Sequence, residues 1–170
     1  TKKIIECFKS DRTNILIALQ GDRFFSEFIL EGIKNNSDKI MWHFRDHPRI
    51  PISSRLKNKI LQFPNCEIHS SSQMPLYGVL KKIDIHITGY STVAFEAQSF
   101  NIPTIFTHLA ALKGYQELIN KNGLFYVDNL ESFNKIILKL LFNAPNIEPD
   151  YIISNSTVHS NTLSMLMEGA

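Results

Sequence analysis

The sequence has little of what marks several common protein classes. Cysteine occurs only at Cys7 and Cys66, which are far apart and form no Cys-x-x-Cys pair. This usage argues against a disulfide scaffold and a structural zinc site, and it favours a reducing setting. No apolar run reaches the roughly 18 residues that a membrane-spanning helix needs. We therefore expect a cytoplasmic protein without a transmembrane segment.

An excess of charge of one sign is also missing. The chain has 18 basic and 16 acidic residues, which gives a net charge of +2. A dedicated nucleic-acid-binding protein usually has a strongly basic face, so this class is not favoured. A local basic pocket for a phosphate remains compatible with this balance. The length of 170 residues suffices for one domain with a hydrophobic core.

The short motifs of the best-known phosphate and metal sites do not occur. The sequence has no Gly-x-Gly-x-x-Gly and no Gly-x-x-x-x-Gly-Lys-(Ser/Thr), so it lacks the dinucleotide-binding fingerprint and the P-loop. No Asp-x-Asp pair offers a divalent cation its usual carboxylate ligands. We expect no metal and no cofactor. A phosphate site would then rely on helix dipoles, histidine and arginine.

What is present is a regular alternation of apolar and amphipathic runs. The apolar runs indicate buried strands, and the runs between them carry apolar residues at helical spacing. Strands are predicted at 14–19, 39–45, 66–70, 84–88, 103–106 and 124–127, and helices at 22–36, 53–63, 75–82, 91–100, 112–123 and 130–142. This order predicts an α/β fold with a doubly wound, mostly parallel, Rossmann-like sheet and helices on both faces.

The chain is expected to divide into three parts. The α/β domain is predicted at 14–143. Residues 1–13 are interpreted as a lead-in from a preceding domain, because the sequence starts at Thr1 without a methionine. Residues 144–170 contain Pro145, Pro149 and a polar run, and we expect them to form a polar tail.

The first candidate site lies at the turn that follows the predicted strand 84–88. Ligands of open α/β sheets bind at the carboxyl ends of the strands, and Gly89 lets a ligand approach the backbone there. Ser91 and Thr92 offer hydroxyl groups at the start of the next helix, where anions are favoured. Glu96 is four residues after Thr92, on the same helical face, and could accept from ribose hydroxyls. The alternative is that Ser91 only caps the helix and Glu96 is only solvated.

The second candidate site follows the predicted strand 39–45. His47 lies at the carboxyl end of this strand, where an imidazole can donate to a phosphate or protonate a leaving oxygen. Arg45 and Arg49 flank it, and the guanidinium group matches phosphate geometry. The alternative is a structural His47 with solvated arginines. His43 is inside the strand, so we interpret it as a core residue.

Two weaker signals follow other strands. Gly21 lies at the turn after the first strand, where it could line a ligand cleft or simply form the turn. His108 and Gln116 or Glu117 follow the strand 103–106 and could approach a sugar or base, or could be surface residues.

These motifs resemble a known family. The run "RDHPR" at 45–49, followed about forty residues later by "ITGYSTVAFEAQSFNIPTIF" at 87–106, resembles the carboxy-terminal, donor-binding domain of GT-B glycosyltransferases. The likeness covers roughly 14–142. It is nearest to bacterial capsule and lipopolysaccharide sialyltransferases with a His-Pro motif and to teichoic-acid glycerophosphotransferases with Thr-Asp-Tyr-Ser-Ser. The chain departs from the glycerophosphotransferase pattern because Gly89 stands at the position of the Asp.

The resemblance implies roles for the candidate residues. His47 would be catalytic: it would contact the donor phosphate and assist departure of the nucleotide. Ser91 and Thr92 would bind the phosphate, and Glu96 the ribose. The remaining predicted nucleotide- or phosphate-binding residues are Gly21, Arg45, Arg49 and Gly89. The partners would be a nucleotide sugar and a glycan acceptor, the latter bound through an amino-terminal domain that also supplies the base.

The resemblance implies a surface-polysaccharide glycosyltransferase, in the cytoplasm or held at the inner membrane face. Two alternatives stay open. A nucleotide-sugar epimerase shares this architecture, but epimerases carry a Gly-Gly turn and paired acids near this helix, where the chain has Tyr-Ser-Thr and one Glu. A non-catalytic nucleotide- or partner-binding module is the other, since a fold does not determine a function.

Overall fold

The computed structural model describes residues 8, 11–36, 39–143 and 145–147 of the chain. Within them, six strands form one sheet in which every neighbouring pair is parallel. The strands are β1 (Thr13–Ala18), β2 (Ile40–Arg45), β3 (Cys66–Glu67), β4 (Ile85–Thr88), β5 (Thr104–Phe106) and β6 (Leu124–Tyr126). The predicted α/β fold is confirmed. The predicted lead-in and tail lie largely outside the described residues.

The strand order creates a reversal in the middle of the sheet. The order is β3-β2-β1-β4-β5-β6, so the winding direction changes between β1 and β4. Ile15 of β1 lies opposite Trp42 of β2 and Ile85 of β4. Because helices cover both faces of the sheet, β1 is buried along almost its whole length and its sequence is largely apolar. Open sheets of this type bind ligands outside the carboxyl ends of the strands at the reversal.

Helices connect the strands on both faces. They are α1 (Phe28–Asn35), α2 (Ser54–Ile60), α3 (His69–Gln73), α4 (Leu76–Leu80), α5 (Val93–Gln98), α6 (Leu109–Gly114) and α7 (Leu130–Phe142). The face that holds Ile15 and Ile17 of β1 packs against α1, α2 and α7, and the face that holds Leu16 packs against α4 and α5. A third cluster joins α5 to α6 through Ala94, Ala111 and Tyr115.

Two predicted elements before the middle of the chain are shorter than expected. The predicted helix 22–36 is interrupted: Asp22–Phe24 forms a 3-10 turn, and the extended backbone of Phe25 separates it from α1. The predicted strand 66–70 comprises only Cys66–Glu67. The carboxylate of Glu67 accepts from the backbone N–H groups of Ser70 and Ser71, and this contact holds the chain in the first turn of α3.

The predicted helix 112–123 is displaced. The observed helix α6 begins earlier and ends at Gly114, and turns occupy the rest of this segment. Asn120 and Asn122 have φ values of 64° and 44°, which a continuous right-handed helix excludes. Gly123, with φ 76°, leads into β6 instead of ending the helix. The turns carry the apolar side chains of Tyr115 and Leu118 into the core, a tertiary effect that helical periodicity does not reveal.

Candidate functional site

Several loops meet at the carboxyl edge of the sheet, and they contain the predicted site residues. The residues in the loops after β1, β2 and β4 are Gly21, His47, Arg49, Gly89, Ser91 and Thr92. Arg45 ends β2, and Glu96 lies in α5. Because β2, β1 and β4 are neighbours in the sheet, these loops follow adjacent strands and flank the reversal.

The loop after β2 is organised by Asp46. Its Oδ1 accepts from the backbone N–H groups of His47 and Ile52, each at 3.0 Å, and its own N–H donates to Oγ of Ser72 at 3.0 Å. The side chain of Asp46 therefore joins the two ends of the loop, and its backbone N–H joins the loop to α3. The loop holds His47 in place through its backbone, independently of any ligand.

The hydrogen bonds of His47 determine which ring nitrogen carries the proton. Nδ1 accepts from the backbone N–H groups of Arg49 at 3.2 Å and Ile50 at 3.1 Å. A nitrogen that accepts cannot carry a proton, so the neutral ring is protonated on Nε2. Within the described part of the chain, Nε2–H has no hydrogen-bond partner, and the half-buried ring can offer it to a ligand. Arg49 is exposed.

Arg45 is held mainly by the protein itself. Nη1 donates to the carbonyl oxygen of Met74 at 2.7 Å and also to that of Ser71. Burial lowers the pKa of Arg45 from its usual value, and the negative charge of Glu96 acts in the opposite direction. The guanidinium group therefore links α3 to the end of β2 and interacts electrostatically with the predicted ribose-binding carboxylate. Its contact with a phosphate stays a prediction.

The helix after β4 begins two residues later than predicted. Thr92 is the N-cap residue of α5, but its side chain does not form the capping hydrogen bond, whereas Oγ of Ser91 accepts from the backbone N–H of Val93 at 3.3 Å. The hydroxyl proton of Ser91 is not used in this contact and can still be donated. Both Ser91 and Thr92 are half-buried, as is Glu96. The backbone N–H of Tyr90 donates to Oε1 of Gln20 at 3.1 Å, which joins this turn to the loop after β1.

The two glycines at the edge are required by protein contacts. A Cβ atom at Gly89 would lie 2.3 Å from the carbonyl oxygen of Phe24, and one at Gly21 would lie 2.9 Å from Cγ2 of Ile50. Gly21 also has φ 76°, which disfavours other residues. The close approach at Gly89 is therefore to the loop after β1, and a ligand contact there stays a prediction.

The loop after β1 crosses the carboxyl edge and is fixed on both sides. Asp22 accepts from the backbone N–H of Ser53 at 2.7 Å and from its hydroxyl group at 2.5 Å. Ser26 donates through Oγ to the carbonyl oxygen of Thr107 at 2.7 Å. The contacts from Ser53 hold the pKa of Asp22 below its usual value: the hydroxyl contributes most, the N–H less, and burial opposes both.

Sequence reasoning missed Gln20, Asp46 and Phe24 as organisers of the site. Asp46 lies within the "RDHPR" run, and an acidic residue before His47 is the one local signal that could have indicated it. Gln20 and Phe24 act on Tyr90 and Gly89, more than sixty residues away, so no local pattern identifies them.

The described residues include no group of three or more His, Cys, Asp and Glu side chains that could hold a metal ion. His43 and His47 are four residues apart, but the chain between them is largely extended. Because a strand rises about 3.3 Å per residue, the two rings are too far apart to bind one metal ion. His43 is fully buried in β2, where the structure confirms it as a core residue. No helix in the described ranges is long and apolar enough to cross a membrane.

No protein-family model and no curated protein matches the sequence. Solved structures do match the fold. The UDP-GlcNAc 2-epimerase from Methanocaldococcus jannaschii aligns with a TM-score of 0.64 and 18% identity over 89% of this chain and 46% of its own. The UDP-GlcNAc 2-epimerase from Neisseria meningitidis bound to UDP-GlcNAc aligns at 0.60 and 18%, over 96% and 48%. The wall teichoic acid polymerase TagF aligns at 0.56 and 16%, over 96% and 43%.

These likenesses concern the fold. The chain spans about half the length of the structures it matches. They agree with the Rossmann-like α/β fold that the sequence predicts. Both epimerases and a polymerase occur among the similar structures, so the architecture by itself leaves the reaction open.

Proposed function

We propose that the chain forms the nucleotide-sugar-binding domain of a glycosyltransferase that acts in bacterial surface-polysaccharide biosynthesis. The observation that carries the proposal is the state of His47. Its Nδ1 is occupied by two backbone N–H groups, so its Nε2–H is presented at the carboxyl end of β2, beside the reversal of the sheet. Open α/β sheets bind their ligands at this place.

The chemistry fits the departure of a nucleotide. When the bond between the anomeric carbon and the phosphate oxygen breaks, the electron pair stays with the oxygen and negative charge develops there. A donor already oriented towards this oxygen stabilises the charge without rearrangement. His47 supplies the Nε2–H, Ser91 and Thr92 add hydroxyl groups, and Glu96 accepts from the ribose. No metal is proposed. A further domain is proposed to bind the acceptor and to supply the catalytic base.

The proposal is tested by nucleotide titration. The 170-residue chain is titrated with UDP, CDP, GDP and CMP and followed by ligand-observed NMR. We expect one nucleotide to bind, and we expect Ser91→Ala and Glu96→Gln to weaken binding although each variant loses only about 1 kcal/mol or less in stability and stays folded at the temperature of the titration. Ser99→Ala, at the exposed other end of α5, is the matched control and should bind normally. Absence of binding to all four nucleotides contradicts the proposal.

A nucleotide-sugar epimerase is the second candidate, because UDP-GlcNAc 2-epimerases are among the most similar folds. The turn after β4 argues against it, since Tyr90, Ser91 and Thr92 replace glycines and α5 has a single Glu. Incubating the protein with UDP-GlcNAc and no acceptor separates the two. An epimerised nucleotide sugar would favour the epimerase over the transferase.

A further inference from the structure

We propose that Gln20 is a further ligand-contacting residue, whose side-chain amide donates a hydrogen bond to a phosphate group of the bound nucleotide. The proposal rests on the nucleotide-binding function proposed above. It adds a neutral amide donor to the imidazole of His47 and the hydroxyl group of Ser91. Gln20 follows β1, the strand on one side of the reversal in the sheet.

The hydrogen bond to Tyr90 determines how the side chain of Gln20 is oriented. A backbone N–H can only donate, so the atom of Gln20 that lies 3.1 Å from the nitrogen of Tyr90 is the oxygen Oε1. Among the residues that the structure describes, the amide nitrogen Nε2 has no hydrogen-bond partner, yet it is not one of the buried atoms in that state, so solvent can reach it. Because Tyr90 directly precedes Ser91, the free donor is fixed relative to the hydroxyl group of Ser91 before any ligand binds.

The register of the sheet places Gln20 between the two predicted phosphate-binding loops. Ala18 of β1 lies opposite the last residue of β2 and the last residue of β4. Gln20, His47 and Tyr90 each come two residues after these aligned positions. Since neighbouring strands are about 4.8 Å apart, the loops after β2 and β4 are separated by roughly 10 Å, with the end of β1 between them. A phosphate or diphosphate that contacts both His47 and Ser91 therefore crosses the position of Gln20.

The alternation of side chains along β1 puts Gln20 on the side of the sheet that α5 covers. Leu16 packs in the cluster of α4 and α5, whereas Leu19 packs in the cluster of α1, α2 and α7. Pairing with β2 continues to Leu19, whose N–H donates to the carbonyl oxygen of Arg45 at 2.9 Å. Successive side chains of a strand point to opposite faces, so Gln20 lies on the α5 side. Glu96 of α5 interacts electrostatically with Arg45, so Gln20 shares this side with two other predicted site residues.

Two substitutions separate the contact with Tyr90 from the contact with the phosphate. Gln20→Glu keeps an oxygen that accepts from Tyr90 and replaces the donor by a second acceptor. We expect it to keep its Tm within about 2 °C of wild type and to bind the nucleotide at least about tenfold more weakly, because a hydrogen bond to a charged group is lost and repulsion is added. Gln20→Met removes both contacts without adding charge. It should bind about tenfold more weakly and also lose roughly 2–4 °C in Tm.

The side-chain amide of Gln20 also reports the contact directly in proton–nitrogen NMR spectra of the 170-residue chain. Its pair of signals is identified by its absence from the spectrum of Gln20→Glu. The probes are whichever of UDP, CDP, GDP and CMP the wild-type chain binds, and inorganic pyrophosphate. We expect the pair to shift with both probes, because the contact is to phosphate. The amide of Gln62, an exposed residue that follows α2, is the matched control. Its signals should not shift, and Gln62→Glu should change neither nucleotide affinity nor Tm.

The outcomes distinguish the contact from the function on which it rests. Normal nucleotide binding by Gln20→Glu or by Gln20→Met overturns the contact, and so do signals of Gln20 that stay unshifted with saturating nucleotide. Signals that shift with the nucleotide but not with pyrophosphate overturn the assignment to a phosphate group. A wild-type chain that binds none of the four nucleotides contradicts the proposed function itself, and the contact with it.

Discussion

His43 and Glu67 form an ion pair inside the sheet. Nδ1 of His43 lies 2.9 Å from Oε1 of Glu67, and Nε2 lies 3.0 Å from Oδ1 of Asn14. The amide nitrogen of Asn14 donates to the carbonyl oxygen of Arg12, so its oxygen faces the histidine. The fully buried ring therefore lies between a carboxylate and an amide oxygen, and it stacks on Phe8 with the ring centroids 4.1 Å apart.

This pair predicts a large effect of Glu67→Gln on stability. The substitution removes the carboxylate that pairs with the buried ring of His43 and accepts from the backbone N–H groups of Ser70 and Ser71, and we expect the free energy of unfolding to fall by roughly 2–4 kcal/mol. Urea unfolding at pH 7 measures the change. Glu117→Gln removes an exposed carboxylate with no partner among the described residues, and it should be nearly neutral. Equal effects of the two substitutions would contradict the pairing of Glu67 with His43.

The same pair predicts a pH dependence. Burial acts to raise the pKa of Glu67, but the hydrogen bond and charge of His43, together with the bonds from Ser71 and Ser70, outweigh it, and the pKa lies below its ordinary value of 4.5. The ionised carboxylate therefore stabilises the fold above about pH 4.5, and this contribution is lost as the pH falls through the lowered pKa. The stability difference between wild type and Glu67→Gln should be largest above about pH 4.5 and should shrink as the pH falls through the lowered pKa of Glu67.

Gly89→Ala tests the close approach between the turn after β4 and the loop after β1. The new Cβ would lie 2.3 Å from the carbonyl oxygen of Phe24, which belongs to the backbone and cannot rotate away. We expect a loss of about 3 kcal/mol in unfolding free energy. Gly78→Ala, within helix α4, is the matched control. Its Cβ would lie 3.5 Å from Cε of Met74, an ordinary contact, and the substitution should stabilise the protein by about 0.5–1 kcal/mol. A neutral Gly89→Ala would mean that the two loops do not pack this closely.

Ser53→Ala tests the contact between the loop after β1 and helix α2. The hydroxyl of Ser53 accepts from the backbone N–H of Leu56 at 3.2 Å as the helix cap and donates to Asp22. We expect a loss of about 1 kcal/mol at pH 7. Because the hydroxyl is also the main cause of the lowered pKa of Asp22, the loss should decrease as the pH falls through that pKa. Ser54→Ala, one residue later and exposed, should be neutral at both pH values.

Much of the fold could be predicted because the strands that form its centre are local apolar runs. β1, β2 and β4 begin and end within about one residue of their predicted bounds, since burial on both faces selects unbroken apolar sequence. The displaced helix α6 shows the limit. Its end and the turns after it depend on Tyr115, which packs on Tyr90 and Phe95 from a distant part of the chain. Helical periodicity contains no information about such partners.

The candidate site could be located from the sequence, but its internal contacts could not. A carboxyl end of a strand is a local feature, so the sequence predicts that His47, Ser91 and Glu96 follow strands there, and the structure has them in the loop after β2, the turn after β4 and helix α5. Their function in binding stays a prediction. The donors and acceptors that orient them are distant: Arg45 binds the carbonyl of Met74, 29 residues later. A backbone carbonyl has no signature in the sequence, so the sequence could not indicate that Arg45 has a structural function.

Arg45→Met separates the two functions assigned to this guanidinium group. The substitution removes the donor for the carbonyl oxygens of Ser71 and Met74, and we expect a loss of roughly 1–3 kcal/mol in unfolding free energy. Arg49→Met, an exposed arginine in the same loop region, should leave stability within about 0.5 kcal/mol of wild type.

The electrostatic interaction of Arg45 with Glu96 is tested by combining Arg45→Met with Glu96→Gln. Since Arg45 and Glu96 attract each other, the loss in the double variant should be smaller than the sum of the two single losses, by about 0.5 kcal/mol or more. Arg45→Lys keeps a positive charge but has fewer donors, so it should keep part of this coupling while losing stability. Strictly additive changes in urea unfolding would show that Arg45 only ties α3 to β2. In that case, Glu96→Gln would weaken nucleotide binding and Arg45→Met would not.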